Sequence, residues 1–183
     1  MTLPLNLQEL LSGNKNMEKK PTLKDELTEK IGVLARRETE ARIIVPFVEA
    51  LKKQFGEEKI LPILEDTIIN ISRTQGAELS EKYGNGPDSF LETLQFWTQG
   101  GALEIDVLEK SKTTLDFNVT RCKYAEMYKA LGVSDLGASL SCNRDGAMIE
   151  GFNPDASLDR KTTIMSGGDC CTFRYKFGKS KES

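Results

Sequence analysis

The stretch LEIDVLEKSKTTLDFNVT, residues 103–120, decides the fold. Leu103, Ile105 and Val107 alternate with Glu104, Asp106 and Glu109, and Leu115, Phe117 and Val119 alternate with Asp116, Asn118 and Thr120. A period of two puts the apolar residues of each run on one face of a pleated strand. Residues 110–113 join the two runs as a hairpin. Further on, residues 162–165 and 171–177 read as two closing strands around a tight turn at 166–169, where paired glycines suit a positive φ.

Before this stretch the period is that of a helix. Leu27, Ile31, Leu34, Ala41, Ile44, Val45, Val48 and Leu51 recur at helical spacing up to Phe55, and Gly56 ends the run. Pro46 removes a backbone donor inside it and predicts a kink or break. A second helix starts near Glu57 or Pro62, since Ile60, Ile63, Leu64, Ile68 and Ile71 form one stripe, and runs to about Lys82. After the turn signal YGNGP at 83–87, Asp88 or Ser89 caps a third helix that Gly100 and Gly101 stop. Residues 122–131 read as a short helix ended by Gly132, with another from Ser134 or Asp135. The expectation is an α+β fold, with N-terminal helices packed with a small antiparallel sheet of about four strands. Residues 1–23 read as a flexible arm, 24–178 as a single domain (helical over 24–100, sheet-containing over 101–178) and 179–183 as a tail.

Composition narrows the function. The chain of 183 residues has 25 Lys and Arg against 28 Asp and Glu, a net charge of -3, which argues against a nucleic-acid partner. No run approaches the roughly 20 apolar residues that span a bilayer, and no basic segment leads into an apolar one, so a cytoplasmic protein without a membrane partner is expected. The four cysteines lack Cys-x-x-Cys spacing and are expected as free thiols. There is no His, which removes Ser-His-Asp, Cys-His and His-based metal sites together. No metal and no cofactor are expected.

The chemistry-bearing residues crowd into the C-terminal third. In LSCNRD, 140–145, Cys142 and Asp145 stand three apart, so on a helix they share a face. They suit a thiol with a carboxylate neighbour. A plainer reading has Ser141 or Asn143 capping a helix and Arg144 in solvent. In RCKYAE, 121–126, Glu126 is a candidate general acid or base or simply an ion-pair partner, and Cys122 is a candidate small core residue. In CCTFRY, 170–175, Cys171 or Arg174 could face a pocket.

The patterns RCxYAE (121–126), LGxxDLG (131–137), LSCNRD (140–145), GFNP (151–154) and CxFRY (171–175) together resemble the L-2-amino-thiazoline-4-carboxylate hydrolase family. The resemblance departs at Thr172, where the family's closing motif usually has an acid, and at Lys161, where Thr often stands. It implies hydrolysis of a cyclic amidine at carbon–nitrogen bonds to a carbamoyl-cysteine-type product, a step in bacterial cysteine formation. The catalytic candidates are then Cys142, Asp145 and Glu126. Arg144, Asn143, Arg121, Tyr124, Asn153 and Cys171 are expected around a small carboxylate substrate. A covalent thiolate route would need Arg144, Arg121 or a helix terminus to lower the thiol pKa. The competing route has Glu126 or Asp145 activate water while Cys142 lines the pocket. A homo-oligomer is compatible with either. The alternative functions are a non-catalytic small-molecule-binding or sensor domain and an accessory subunit of a larger enzyme.

Overall fold

A computed structural model describes residues 27–178, and the expected arm and tail lie outside the described residues. The architecture is α+β. Two long helices, α1 (Leu27–Phe55) and α2 (Glu57–Tyr83), are followed by α3 (Pro87–Thr93), α4 (Gln95–Thr98) and the hairpin of β1 (Leu103–Lys110) and β2 (Thr114–Cys122). Then come α5 (Lys123–Ala130), α6 (Ser134–Gly137), a π-helical turn at Ala138–Cys142, and α7 (Arg144–Phe152). The chain closes with β3 (Ser157–Asp159), a 3-10 turn at Ile164–Ser166 and β4 (Cys171–Lys176).

The sheet order is β1-β2-β4-β3, with every neighbouring pair antiparallel. Leu115, Phe117 and Val119 of β2 pair with Tyr175, Phe173 and Cys171 of β4, so the six share one face. That face carries the main core, with Phe90 of α3 and Met148, Ile149 and Phe152 of α7 packed against it. Asn118 and Arg174 lie on the other face, where Arg174 Nη2 donates to Asn118 Oδ1 at 2.9 Å. The register therefore answers which of Cys171 and Arg174 faces inward.

Two expectations change. Helix α1 continues through Pro46, and its non-helical residue is Gly32, at φ 73°. Pro46 and Arg42, whose carbonyl loses its usual donor, are both exposed, so water can take that donor's place. The strand expected at 162–165 is absent, and the closing partner of β4 is Ser157–Asp159 instead. Threonine hydroxyls compete for the backbone there. Thr163 Oγ1 accepts from Ser166 N at 3.2 Å, Thr162 Oγ1 donates to Cys170 O at 2.9 Å, and Thr172 Oγ1 accepts from Lys161 N and Thr162 N.

Helix α7 is seated on α2 by two glycines. A Cβ on Gly76 would lie 2.1 Å from Met148 O, and one on Gly151 would lie 1.9 Å from Arg73 O. No side chain fits at either point, so the backbones touch. The buried Ser72 hydroxyl adds a bond to Arg144 O at 2.9 Å. These contacts fix the height and rotation of the helix whose first turn carries Arg144 and Asp145.

Candidate active site

A cavity of about 90 Å³ lies between the inner face of the sheet, α3 and α4, α1, and the start of α7. Cys122, Tyr124, Ser141, Cys142, Arg144, Asp145 and Cys171 line it, so three separate segments of the C-terminal third meet there. The π-helical turn at Ala138–Cys142 widens the backbone just before α7. Both Cys142 and Asp145 nevertheless reach the same cavity. Tyr124 donates to Trp97 O at 3.1 Å, tying α5 to α4.

Arg144 is the most unusual of these groups. It is 6% exposed. Its Nε donates to Leu140 O at 2.8 Å, its Nη2 lies 3.5 Å from Glu40 Oε2, and its buried Nη1 has no hydrogen-bond partner. A buried guanidinium nitrogen without an acceptor is costly, on the order of 1–3 kcal/mol or more for a charged group. Glu40 is meanwhile shared. Arg37, 3% exposed, donates to it at 2.5 Å, and Arg36 Nε donates at 2.9 Å. Burial would raise the Glu40 carboxyl, but Arg37, Arg36 and Arg144 together hold it below its usual value. Burial, reinforced by Arg37, pushes Arg144 down to about 10. One carboxylate is thus shared by Arg37 and Arg144, two buried guanidiniums that line the cavity.

Asp145 pairs with Arg160, whose guanidinium also sits 5.6 Å from the centre of the Phe173 ring. Burial raises the Asp145 carboxyl to about 6 despite the opposing pull of Arg160. The thiols move away from ionisation. Burial, helped by the Asp145 charge, pushes Cys142 up to about 12, and burial pushes Cys171 up to about 11 and raises Cys122 as well. Near neutral pH the carboxylate can exchange a proton, and the thiols hold theirs.

Several expected site residues lie elsewhere. Arg121 Nε donates to Glu126 Oε1 at 2.9 Å, both side chains are about half exposed, and the ion pair holds the Glu126 carboxyl below its usual value. They border a second, more open pocket of about 390 Å³ that shares Cys122 and Met165 with the cavity wall. Asn143 is the N-cap residue of α7 and Asn153 its C-cap, and neither lines the cavity. Asn153 instead donates to Asn85 O and accepts from Asp155 N, both at 2.9 Å, holding the turn into β3.

The structure also brings in residues that the sequence reading passed over: Arg37 from α1, Arg160 after β3, and an apolar wall that includes Phe90, Leu94, Trp97 and Ile105. Arg37 had a signal. It occupies the same helical stripe as Val33 and Ala41, an Arg where the pattern calls for an apolar residue. Among the described residues, no group of three or more Cys, Asp or Glu is arranged to hold a metal ion.

The sequence model of the family described as L-2-amino-thiazoline-4-carboxylic acid hydrolase matches residues 36–175. No curated protein matches the chain. Among solved structures the chain is similar to trafficking protein particle complex subunit 3 from Naegleria fowleri, in a crystal structure where that subunit is covalently bound to palmitic acid. The identity is 12%, the match covers 81% of this chain and 99% of that one, and the TM-score is 0.48, too remote to bear on chemistry.

Proposed function

The chain belongs to the L-2-amino-thiazoline-4-carboxylic acid hydrolase family, and on that footing we propose that it hydrolyses a cyclic amidine bearing a carboxylate, in the cavity at the start of α7. One observation carries the reading: Arg144 lines that cavity, and its buried Nη1 lacks an acceptor. A substrate carboxylate supplies it, and a planar guanidinium is the side chain suited to that partner. The sharing of one carboxylate by two buried guanidiniums, Arg37 and Arg144, favours an anion in the same place.

Asp145 is the proton-handling group. A carboxyl raised to about 6 can hold an amidine as the carboxylate and exchange a proton near neutral pH. Water adds to the amidine carbon as Asp145 takes one of its protons, giving a tetrahedral centre with a hydroxyl, two nitrogens and sulfur. As that centre collapses to a carbonyl, the hydroxyl proton passes to the ring nitrogen that entered as the imine, the ring carbon–sulfur bond breaks, and the leaving sulfur takes the other proton back from Asp145. This balance leaves the carbamoyl group on nitrogen and frees a thiol. A carbon–nitrogen break would leave it on sulfur and free an amine. Cys142, held as a thiol, lines the site in this route without forming a bond to substrate.

The test is hydrolysis of 2-aminothiazoline-4-carboxylate by purified protein, followed by release of free thiol. Asp145→Asn is expected to lower kcat by at least about two orders of magnitude, the usual scale for one general acid/base group. Cys142→Ala is expected to retain activity within about tenfold. A loss in Cys142→Ala as deep as in Asp145→Asn would restore the covalent route. Saturable binding with no product would replace the hydrolase with a ligand-binding protein.

A further inference from the structure

The cavity wall divides by the elements that build it. Its charged groups come from α1, α7 and the residue after β3: Arg37, Arg144, Asp145 and Arg160. The facing elements, α3, α4, β1 and β2, supply no charged side chain toward it, and apart from the Cys122 thiol they offer carbon-rich ones, among them Phe90, Trp97, Leu103, Ile105 and Phe117. Across the sheet, Arg160 follows β3 at one edge, while Leu103 and Ile105 belong to β1 at the other. With neighbouring strands about 4.8 Å apart, the two edges are separated by roughly 14 Å. The apolar residues of β1 therefore lie well away from Arg160, which has Phe173 of β4 beside it.

A 2-aminothiazoline-4-carboxylate carries polar atoms on nearly every side: a carboxylate at one position, and an amidine at the next. Burying such groups against aromatic and aliphatic carbon without hydrogen-bond partners is unfavourable. The groups that match it are confined to the α7 side. An apolar wall stays favourable only when it is covered by carbon or left dry.

We propose that the ligand of this cavity is a carboxylate carrying an apolar substituent, with the carboxylate on Arg144 and the substituent against Phe90, Leu94, Trp97 and Ile105. The carboxylate half rests on the function proposed above, and the apolar half is new. It assigns substrate selectivity to the α3–α4 and β1 side of the cavity, far from Asp145 in sequence and chemically passive. Ile105 and Leu94 become specificity residues, and the reacting head group becomes the part that all substrates share.

Trp97 is the chain's one tryptophan and lines the cavity, so its fluorescence reports occupancy. The full-length protein is titrated with acetate, butanoate, hexanoate and octanoate, and with the matching primary alcohols. The expected result is binding that tightens by up to about fourfold for each added methylene until the wall is covered. Each acid should bind at least tenfold more tightly than its alcohol. Ile105→Ser, at a half-buried position, should flatten the dependence on chain length and leave acetate binding unchanged. Arg144→Met should remove the preference for acids over alcohols. Equal affinity for all the acids overturns the inference and leaves the carboxylate reading intact. Equal affinity of each acid and its matching alcohol overturns the role of Arg144 instead.

Discussion

Asp145 is a carboxyl at which function and stability oppose each other. Burial raises its pKa from 3.8 to about 6 in the folded chain, so folding favours the protonated form. That contribution is fully present below the unfolded value near 3.8 and is lost as pH rises through about 6. The difference amounts to something on the order of 3 kcal/mol. Asp145→Asn removes the titration. The expected outcome, read from denaturant melts between pH 4 and 7, is that the variant gains stability relative to the parent as pH rises across this window. A constant difference between the two proteins would mean that the carboxyl is not held up by burial. The sequence marked Asp145 and Arg144 through their place in one dense polar string, but it could not tell a buried guanidinium from a solvated one. That distinction depends on Arg37 and Glu40, which lie a hundred residues earlier in the chain.

At the scale of elements, α7 is positioned by its backbone rather than by its side chains. Gly151 touches the carbonyl of Arg73, and Gly76 touches that of Met148. Gly151→Ala must push the two helices apart. Overpacking of this kind costs about 1–3 kcal/mol, with a fall of several degrees in Tm. Because the shift moves Arg144 and Asp145 as one body, the variant is expected to lose activity as well, with KM rising as Arg144 is displaced. Gly146, which has open space around it, is the control: Gly146→Ala should leave both Tm and KM nearly unchanged. The helical and hairpin periods of the sequence were enough to define α1, α2, β1 and β2, since α1, α2 and β2 each bury one face and the first apolar residues of β1 are half-buried. The period failed over residues 157–166. There a three-residue strand is too short to show alternation, and threonine hydroxyls rather than the ladder satisfy the backbone.

Across the whole molecule, the candidate site draws on α1, α3, α4, the sheet and α7, elements remote in sequence. Only the last third of that assembly was visible as motifs. The helical half contributes through Arg37, whose one signal is its place on an apolar stripe, and through Glu40 and Trp97, each unremarkable in its own stretch of sequence. Assembly from so many elements means that anything bound in the cavity bridges most of the fold. A ligand at a hundred times its Kd adds about 2.7 kcal/mol, or on the order of 5–10 °C in Tm for a chain of this size. Differential scanning with a cavity ligand is expected to show a single shifted transition rather than two separate ones.

The two buried guanidiniums, Arg37 and Arg144, that share the carboxylate of Glu40 reach beyond catalysis, to the choice of buffer. A buried guanidinium nitrogen without an acceptor, as at Arg144, favours taking up a small anion from solution, and small carboxylates are what many buffers contain. At matched ionic strength, acetate or formate is expected to raise Tm relative to chloride, and Arg144→Met should abolish the difference. An assay run in acetate would then begin with its site partly occupied, and the apparent KM would rise in proportion to the buffer concentration.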